Sequence, residues 1–401
     1  MIPLRAKLKA LDQLHLLEQW ERLEPTQRAA LAEQIDQLNV AQIRQLQARL
    51  KVATQPPSPY SPLQSWTFWN RPEERNLGEE ALRQGRVGCL IVAGGQGSRL
   101  RCSGPKGMVV VNGKSLFQIF AEKTLVASQV YGKPLSLAFM VSPHYQAAVI
   151  EFFADRDFFG LEPHQLSFFA QSTLPLLDQE GNLFLETPWR IAASPDGNGG
   201  ALKYLYEAGI WQQWQGKGIR HLQFVHIDNP LSDPFDPSLL GLQIRLGHEV
   251  TIQAVERIDA SEKVGVIVQE KGQPRVVEYS EITPEACQER SSEGAFLHRC
   301  ANISRFCFSM EFVHRFAIQG FCQMPLHLVR KAVMRLGSHE LPSQPNAWKF
   351  ERFIFDLLPQ AQSAGVCLAP RAACYAPLKN AAGPDSLATV EQALKQQSAY
   401  S

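Results

Sequence analysis

Three glycines and two basic side chains are grouped at the end of a short apolar segment. The letters LIVA run directly into Gly94, Gly95 and Gly97, and Arg99 and Lys106 follow within ten residues. Glycines leave backbone N–H groups accessible to an anion, and a loop at the carboxyl end of a sheet strand is a common place for phosphate to bind. This group of residues therefore predicts a polyphosphate site.

Two common phosphate-binding motifs do not fit this segment. A dinucleotide-binding loop has the pattern G-x-G-x-x-G, but Leu100 occupies the position of its third glycine. A P-loop has the pattern G-x-x-x-x-G-K-[ST]; residues 113–115 match its end, but Met108 stands where its first glycine belongs. Instead, Asn112 is predicted to begin a turn, after which Ser115 caps a helix. Residues 113–115 are therefore interpreted as structural.

An acidic residue at the end of another apolar run is the second candidate. Asp228 directly follows residues 222–227, which predicts a position near the carboxyl end of a strand. A carboxylate there can hold Mg²⁺ against phosphate oxygens, although an Asp that caps a turn with Asn229 and Pro230 explains the same letters. His226, two residues earlier, is interpreted as a core residue on the other side of the strand.

A third candidate is the segment SPDGNGG, residues 194–200, whose glycines allow the backbone to approach a flat ligand closely. On composition alone, an ordinary tight turn is the simpler interpretation. A binding role for this loop therefore depends on further evidence.

The elements that position these residues follow from hydrophobic periodicity. From Val87 onwards, short apolar runs (VGCLIVA, LSLAFMV, LSFFA, HLQFVHI and VTIQAV) alternate with segments of helical pattern, which predicts a mostly parallel sheet covered by helices. Residues 1–50 have apolar residues at three- and four-residue spacing and are predicted to be helical, with a junction at Pro25. These helices are expected to pack on the main domain; a partner-binding helix pair is the alternative.

The predicted organisation along the chain has four parts. They are an N-terminal helical segment over 1–54, a linker and lead-in over 55–86, a catalytic domain over 87–370 and a short C-terminal extension over 371–401. The linker is expected to be extended because the letters QPPSPYSP cannot continue a helix.

Composition excludes several classes of protein. The 401 residues carry 40 basic and 39 acidic side chains, so no nucleic-acid-binding surface is expected. The apolar runs are far shorter than the ~20 residues that span a bilayer, and the charged N-terminus lacks a secretory signal, so a cytosolic protein without membrane contact is predicted. The eight cysteines contain no CxxC pair and are expected to be free thiols.

Several segments carry a family resemblance. AGGQGSRL followed by PKG closely resembles the nucleotide loop of eukaryotic-type UDP-N-acetylhexosamine pyrophosphorylases and their UDP-glucose pyrophosphorylase relatives. The segments SLFQIFAEK, FFGLEPHQLSFFAQSTLP, SPDGNGG, HIDNPL, VGVIV, VVEYSEI, KFERFIFD and APLKN continue the likeness in the family's order over residues 88–382. The resemblance implies a Rossmann-like, GT-A-like α/β nucleotidyltransferase fold with a mixed, mostly parallel sheet. It also implies a magnesium-dependent uridylyltransferase that joins UTP to a sugar 1-phosphate and releases pyrophosphate.

The resemblance also implies roles for individual residues. It makes Arg99, Lys106 and Lys379 catalytic cations and Asp228 the metal ligand. Nucleotide-binding positions would be Ala93, Gly94, Gly95, Gly97, Ser98, Gln171, Pro195, Gly197 and Asn198, among which Gln171 and the 195–200 loop would recognise uracil. Sugar-phosphate-binding positions would be Asn229, Gly265, Glu278, Asn302 and Lys349. Without the resemblance, Glu278 and the lysines are equally well explained as solvated surface residues and Asn302 as a turn residue.

The chain departs from the family pattern at three positions. Arg101 and Ala301 replace the usual glycines, and Ser98 replaces a threonine while keeping the hydroxyl group. Arg101 adds bulk and charge beside the triphosphate loop, and Ala301 could narrow the sugar niche beside Asn302. The resemblance favours N-acetylglucosamine 1-phosphate as the substrate, with glucose 1-phosphate as the alternative.

The expected chemistry needs no nucleophilic residue. A sugar-phosphate oxygen, already an anion, attacks the α-phosphorus of UTP, so the missing Ser-His-Asp set is consistent with the activity. Two other classes are a catalytically silent nucleotide-sugar sensor, which would not need the whole set of cations and Asp228, and a dehydrogenase, which the missing third glycine disfavours. The sequence leaves the oligomeric state open.

Overall fold

The computed structural model describes residues 2–51, 59–95, 100, 104–338 and 340–397. Its α-helices are α1 (Ile2–Ala10), α2 (Pro25–Gln37), α3 (Val40–Lys51), α4 (Pro72–Arg83), α5 (Leu116–Tyr131), α6 (Gln146–Ala154), α7 (Ala201–Glu207), α8 (Ile210–Gly216), α9 (Pro237–Leu246), α10 (Pro284–Gln288), α11 (Met310–Arg315), α12 (Arg371–Cys374) and α13 (Leu387–Gln397). A π-helical turn, Phe316–Gly320, follows α11, and short 3₁₀ helices include Lys106–Met108 and Ile354–Gln360.

The strands pair mainly into one large sheet. They are β1 (Ser61–Pro62), β2 (Thr67–Phe68), β3 (Val87–Val92), β4 (Val110–Val111), β5 (Lys114–Ser115), β6 (Ser136–Val141), β7 (Leu166–Ala170), β8 (Thr173–Pro175), β9 (Leu185–Thr187), β10 (Arg190–Ile191), β11 (Ala193–Pro195), β12 (His221–His226), β13 (Val250–Glu256), β14 (Val266–Glu270), β15 (Gln273–Val277), β16 (Cys300–Ser309), β17 (His327–Lys331), β18 (Ala347–Glu351) and β19 (Ala364–Ala369). All five apolar runs named above form strands, as predicted.

The chain forms two compact units. The first consists of Met1–Pro56, Ser172–Gly197 and Pro325–Arg352, and the second of Pro57–Gln171, Asn198–Met324 and Phe353–Ser401. This division differs from the four consecutive segments predicted from the sequence, because two distant stretches of the chain join the N-terminal helices. The functional boundaries proposed at 54, 86 and 370 stay a prediction.

The first unit packs three helices against short antiparallel strand pairs. The pairs are β8 with β11, β9 with β10 and β17 with β18. The apolar stripes of the helices are buried as predicted: Leu8, Leu31 and Leu46 share a core with Leu174 and Leu177. Helix α2 begins at Pro25, where a proline costs no hydrogen bond because the first N–H groups of a helix have no partner within it.

The second unit contains the large sheet, in the order β2-β19-β13-β16-β12-β3-β6-β7. Neighbouring strands along this path are parallel except that β16 is antiparallel to both β12 and β13. Alternate residues of the strands face two cores: Leu90 packs on one face with Trp214 of α8, and Ile91 packs on the other with Phe120 of α5. The predicted α/β class, with a mixed and mostly parallel sheet flanked by helices, is confirmed.

The segment before α5 forms the turn and the helix cap expected from its sequence. The turn between β4 and β5 contains Asn112 and Gly113, both with positive φ, and the Ser115 hydroxyl accepts a hydrogen bond from the backbone N–H of Gln118 at 3.1 Å. Lys114 pairs with Glu122, so residues 113–115 are structural, as predicted. The cysteines within the described residues are free. In those same residues, every helix is too short or too polar to cross a membrane.

Candidate functional site

A cavity of about 150 Å³ in the second unit brings together residues that are far apart in the sequence. Five of the predicted ligand-binding or catalytic residues line it: Asp228, Gly265, Glu278, Asn302 and Lys379. They come from the end of β12, the loop before β14, the end of β15, the first part of β16 and the segment before α13. Five separate elements thus place their candidate residues around one space.

Asp228 lies just beyond the carboxyl end of β12, as predicted. The backbone N–H of Ile227 donates to Val92 O at 3.0 Å, so Asp228 stands next to the point where β3 ends. The Lys106 ammonium group lies 3.3 Å from the Asp228 carboxylate, and the two side chains are only 13 % and 21 % exposed. The end of β12 and the segment after the glycine loop are therefore joined by an ion pair.

The position of Lys106 follows from local packing. It begins the short helix Lys106–Met108, and its backbone N–H donates to Gly95 O at 3.2 Å. A Cβ atom on Gly107 would lie 2.3 Å from the ring of Phe117, so only glycine lets this helix approach α5 so closely. Lys106 is thereby held between the glycine loop and Asp228.

Three positively charged or polar groups act on Asp228. Burial by itself raises the pKa of its carboxyl group, but Lys106, His226 and Lys379 together hold that pKa below its ordinary value. Burial lowers the pKa of His226, an effect that Asp228 opposes. At neutral pH the site therefore contains an ionised carboxylate beside a neutral imidazole.

Lys379 reaches the cavity from a segment fixed to Asp228. The backbone N–H of Leu378 donates to Asp228 O at 2.7 Å, and Lys379 Nζ donates to the Tyr375 hydroxyl at 3.0 Å. Burial opposes the charge of Lys379, but Tyr375, Asp228 and Asp385 raise its pKa above the ordinary value. The side chain is therefore a stable cation in the site.

A strand irregularity places Asn302 in the cavity. In the pairing of β13 with β16, Gln253 faces Arg305 while the next residue, Ala254, faces Asn302, so residues 303–304 form a bulge. Ser304 has a φ of +52°, and its backbone N–H donates to Asn302 Oδ1 at 2.9 Å. The bulge and this hydrogen bond fix the amide of Asn302 at the cavity wall.

Gly265 and Glu278 form the neighbouring wall. A Cβ atom on Gly265 would lie 2.9 Å from a Val276 methyl group and 3.2 Å from Glu278 Oε1. Glycine therefore keeps the backbone close to the carboxylate, and Gly265 O accepts a hydrogen bond from the Asn302 N–H at 2.8 Å. Ala301 is buried in an apolar cluster with Val264 and Ile303, two residues that line the cavity.

Part of the predicted nucleotide loop can be located. Ala93 N–H donates to Met140 O at 2.8 Å, which continues the sheet beyond β3. A Cβ atom on Gly94 would lie 2.0 Å from Gln171 Oε1, so the amide of Gln171 rests directly on the Gly94 backbone; Gly95, next in the chain, is exposed. Gly97, Ser98, Arg99 and Arg101 lie outside the described residues.

Three predicted ligand-contact residues belong to the first unit. Pro195 ends β11, and Gly197 has a φ of +89° with its Cα close to Arg352, whose carbonyl oxygen would lie 2.2 Å from an added Cβ. Lys349 is on β18, where it pairs with Glu351 at 2.5 Å. Gly197 and Lys349 therefore each contact another residue of the protein, Arg352 and Glu351. The ligand contacts expected of Pro195, Gly197 and Lys349 stay predictions.

Two residues of the second unit have contacts that differ from expectation. The interpretation of His226 as a core residue facing away from Asp228 was wrong: residues two apart on a strand share a face, and His226 lines the cavity. Asn198 Nδ2 lies 2.9 Å from His226 Nε2, so Asn198 contacts the site through His226. Asn229 is buried, and its amide binds Cys374 O and the Ala376 N–H, so its predicted sugar contact stays untested.

Sequence reasoning missed other members of the site. The alternation of strand residues could have identified His226. Tyr375, Ser304 and Lys263 also line the cavity, but they lie in a loop, a bulge and a turn, which have no periodic pattern.

The comparisons with known proteins decide the family. The sequence model described as UTP–glucose-1-phosphate uridylyltransferase matches residues 33–382. The chain belongs to this family. It is 32 % identical to a probable UDP-N-acetylglucosamine pyrophosphorylase of Schizosaccharomyces pombe over 94 % of this chain and 85 % of the relative. It is 34 % identical to UDP-N-acetylglucosamine pyrophosphorylase of Saccharomyces cerevisiae over 83 % and 72 % of the two chains. The crystal structure of uridine diphosphate N-acetylglucosamine pyrophosphorylase from Trypanosoma brucei has a TM-score of 0.82 at 27 % identity, covering 99 % and 84 %.

Membership in this uridylyltransferase family excludes the dehydrogenase alternative. It also raises the question of which residues could hold a divalent metal ion. In the described parts of the chain, no three His, Cys, Asp or Glu side chains gather into a cage for an ion. Mg²⁺ is often held by one or two carboxylates together with substrate phosphates, a pattern that the single ionised Asp228 fits. Beside this carboxylate, the described part of the site holds the lysines Lys106 and Lys379, which suit a phosphate-bearing substrate.

Proposed function

We propose that this protein transfers the uridylyl group of UTP to N-acetylglucosamine 1-phosphate, forming UDP-N-acetylglucosamine and pyrophosphate. The observation that carries the proposal is the cavity in which Asp228, Gly265, Glu278, Asn302 and Lys379 meet. The names of the yeast and trypanosome relatives support the choice of sugar.

The reaction is a displacement at phosphorus. An oxygen of the sugar phosphate bonds to the α-phosphorus of UTP, and the bond from that phosphorus to the bridging oxygen of pyrophosphate breaks. No proton transfer is required, because both the attacking and leaving oxygens are anionic. The protein must hold UTP and the sugar 1-phosphate together although their phosphates repel each other, and cations at fixed positions reduce this repulsion. Lys106 and Lys379 are the described residues suited to this role.

Asp228 is the residue that would hold Mg²⁺. A bound Mg²⁺ would neutralise phosphate oxygens. The lowered pKa of Asp228 keeps the carboxylate available for the ion at neutral pH. Lys106, which pairs with the same carboxylate, is close enough to contact phosphate oxygens that approach it.

The sugar would occupy the part of the cavity formed by Gly265, Glu278 and Asn302. A carboxylate accepts from sugar hydroxyls, while an amide both donates and accepts. Ala301 packs behind this wall with Val264 and Ile303, so its effect on the size of the sugar niche stays a prediction. The name of the family model keeps glucose 1-phosphate as the second candidate.

A substrate panel tests the proposal. We expect pyrophosphate release from UTP and Mg²⁺ with N-acetylglucosamine 1-phosphate, at a kcat/KM at least about tenfold above that for glucose 1-phosphate. An acetamido group whose amide finds a hydrogen-bond partner is worth that discrimination or more. A clear advantage for glucose 1-phosphate would reverse the sugar assignment. Binding of UDP-sugar without turnover of any sugar phosphate would favour the silent sensor.

A further inference from the structure

Helix α5 contacts both sides of the Lys106–Asp228 pair. Near its N-terminus, the Phe117 ring occupies the space that a side chain at Gly107 would fill, directly after Lys106. Two turns further along, Lys123 reaches the loop that follows Asp228. A single helix of sixteen residues therefore supports the two elements whose side chains form the ion pair.

Lys123 is bound to backbone carbonyls. Its ammonium group donates to Pro230 O at 2.6 Å and to Ser232 O at 2.9 Å. Surrounding protein atoms lower the pKa of Lys123 to about 8, an effect that the nearby Asp233 carboxylate opposes. Removing a lysine ammonium group from water costs free energy unless hydrogen bonds within the protein replace those lost to water. The carbonyls of Pro230 and Ser232 provide these replacement hydrogen bonds.

The loop held by Lys123 in turn holds the segment that contains Lys379. Asn229 Nδ2 donates to Ser232 Oγ at 2.7 Å and to Cys374 O at 2.8 Å, and Asn229 Oδ1 accepts from the Ala376 N–H at 3.0 Å. The adjacent Leu378 N–H donates to Asp228 O. Hydrogen bonds and short stretches of backbone thus connect Lys123 to the residue before Lys379.

We propose that Lys123 is a positioning residue for uridylyl transfer: by binding the carbonyls of Pro230 and Ser232, it sets the positions of Asp228 and Lys379. Lys123 lies outside the cavity lining and acts only through the loop and the segment described above. The catalytic part of this inference rests on the proposed function, whereas the structural part does not.

Lys123→Met tests the proposal, because methionine keeps an unbranched chain and removes the ammonium group. We expect hydrogen–deuterium exchange of residues 374–379 to accelerate at least tenfold, while exchange of β3 and β6 stays unchanged. We also expect kcat to fall at least tenfold, the Mg²⁺ concentration for half-maximal rate to rise severalfold, and UTP affinity in EDTA to change less than twofold. Lys123→Arg, which can still donate to both carbonyls, should recover most of the exchange protection and the rate.

Lys114→Met is the matched control, because Lys114 is exposed, lies just before the same helix and forms an ion pair with Glu122. It should leave every measurement unchanged. Unaltered exchange at 374–379 in Lys123→Met, or exchange that rises equally throughout the protein, would overturn the proposal. If Lys123→Met does not fold, Lys123→Gln takes its place under the same criteria. An inactive wild type would refute the proposed function alone, and the exchange data would still decide the role of Lys123.

Discussion

At the scale of single residues, the charged groups around Asp228 determine what the site can bind. Asp228 pairs with Lys106 and lies near Lys379; burial by itself raises the pKa of its carboxyl group, and these cations help to hold that pKa below its ordinary value. Under the proposed function, both the lysines and an Mg²⁺ ion at Asp228 would neutralise phosphate oxygens. Each charge can therefore be tested by a neutral side chain of similar shape.

Asp228→Asn tests the metal assignment. We expect kcat to fall by at least about two orders of magnitude, because the amide keeps the shape but cannot hold Mg²⁺ as a carboxylate does. Rates are to be measured over a range of Mg²⁺ concentrations, with thermal unfolding as a check on folding. Asp155→Asn, at an exposed position after α6, is the control. A variant with the wild-type rate and the wild-type Mg²⁺ requirement would mean that the metal is held elsewhere.

Lys106→Met tests the neighbouring cation. Removing one preorganised charge from a transition state commonly costs ~3 kcal/mol, so kcat should fall about a hundredfold at saturating substrates. The fold should survive, since the ammonium group is replaced by a thioether on an apolar chain. Lys203→Met removes a half-buried lysine that pairs with Glu207 and lies outside the cavity lining, and it should leave kcat unchanged. Equal rates for both variants would assign Lys106 a structural role only.

At the scale of elements, local sequence patterns predicted which segments form strands, but they did not predict how distant strands pair. The apolar runs that became β3 and β6 are nearly continuous because strands buried on both faces need no polar alternation. The antiparallel position of β16 depends instead on partners more than forty residues away in the chain. No local signal specifies such a pairing.

The same distinction applies to the site. Asp228 and the Gly94 loop were predictable because each ends an apolar strand, where ligands bind in α/β proteins. Asn302 and Glu278 were found only through a family resemblance, since a bulge at 303–304 and a close approach at Gly265 arise from tertiary packing. Tyr375 was missed because its loop has no periodicity.

At the scale of the whole molecule, each unit has its own hydrophobic core. The core of the first unit joins the N-terminal helices to residues such as Leu174 and Phe350. The second unit contains the two cores on the faces of the large sheet. Units with separate cores can unfold as separate cooperative transitions.

Calorimetry of two core variants tests this organisation. We expect two transitions in the wild type. Leu31→Ala, in the first unit, and Leu137→Ala, in the second, both remove fully buried side chains, which typically costs about 2–5 kcal/mol. Leu31→Ala should therefore lower only one midpoint, by about 8 °C or more, and Leu137→Ala only the other, by about 4 °C or more. UDP-N-acetylglucosamine at about 100 times its Kd should stabilise the second unit, which contains the cavity, by about 2.7 kcal/mol. A single transition that shifts as a whole with either substitution would show that the two cores unfold together.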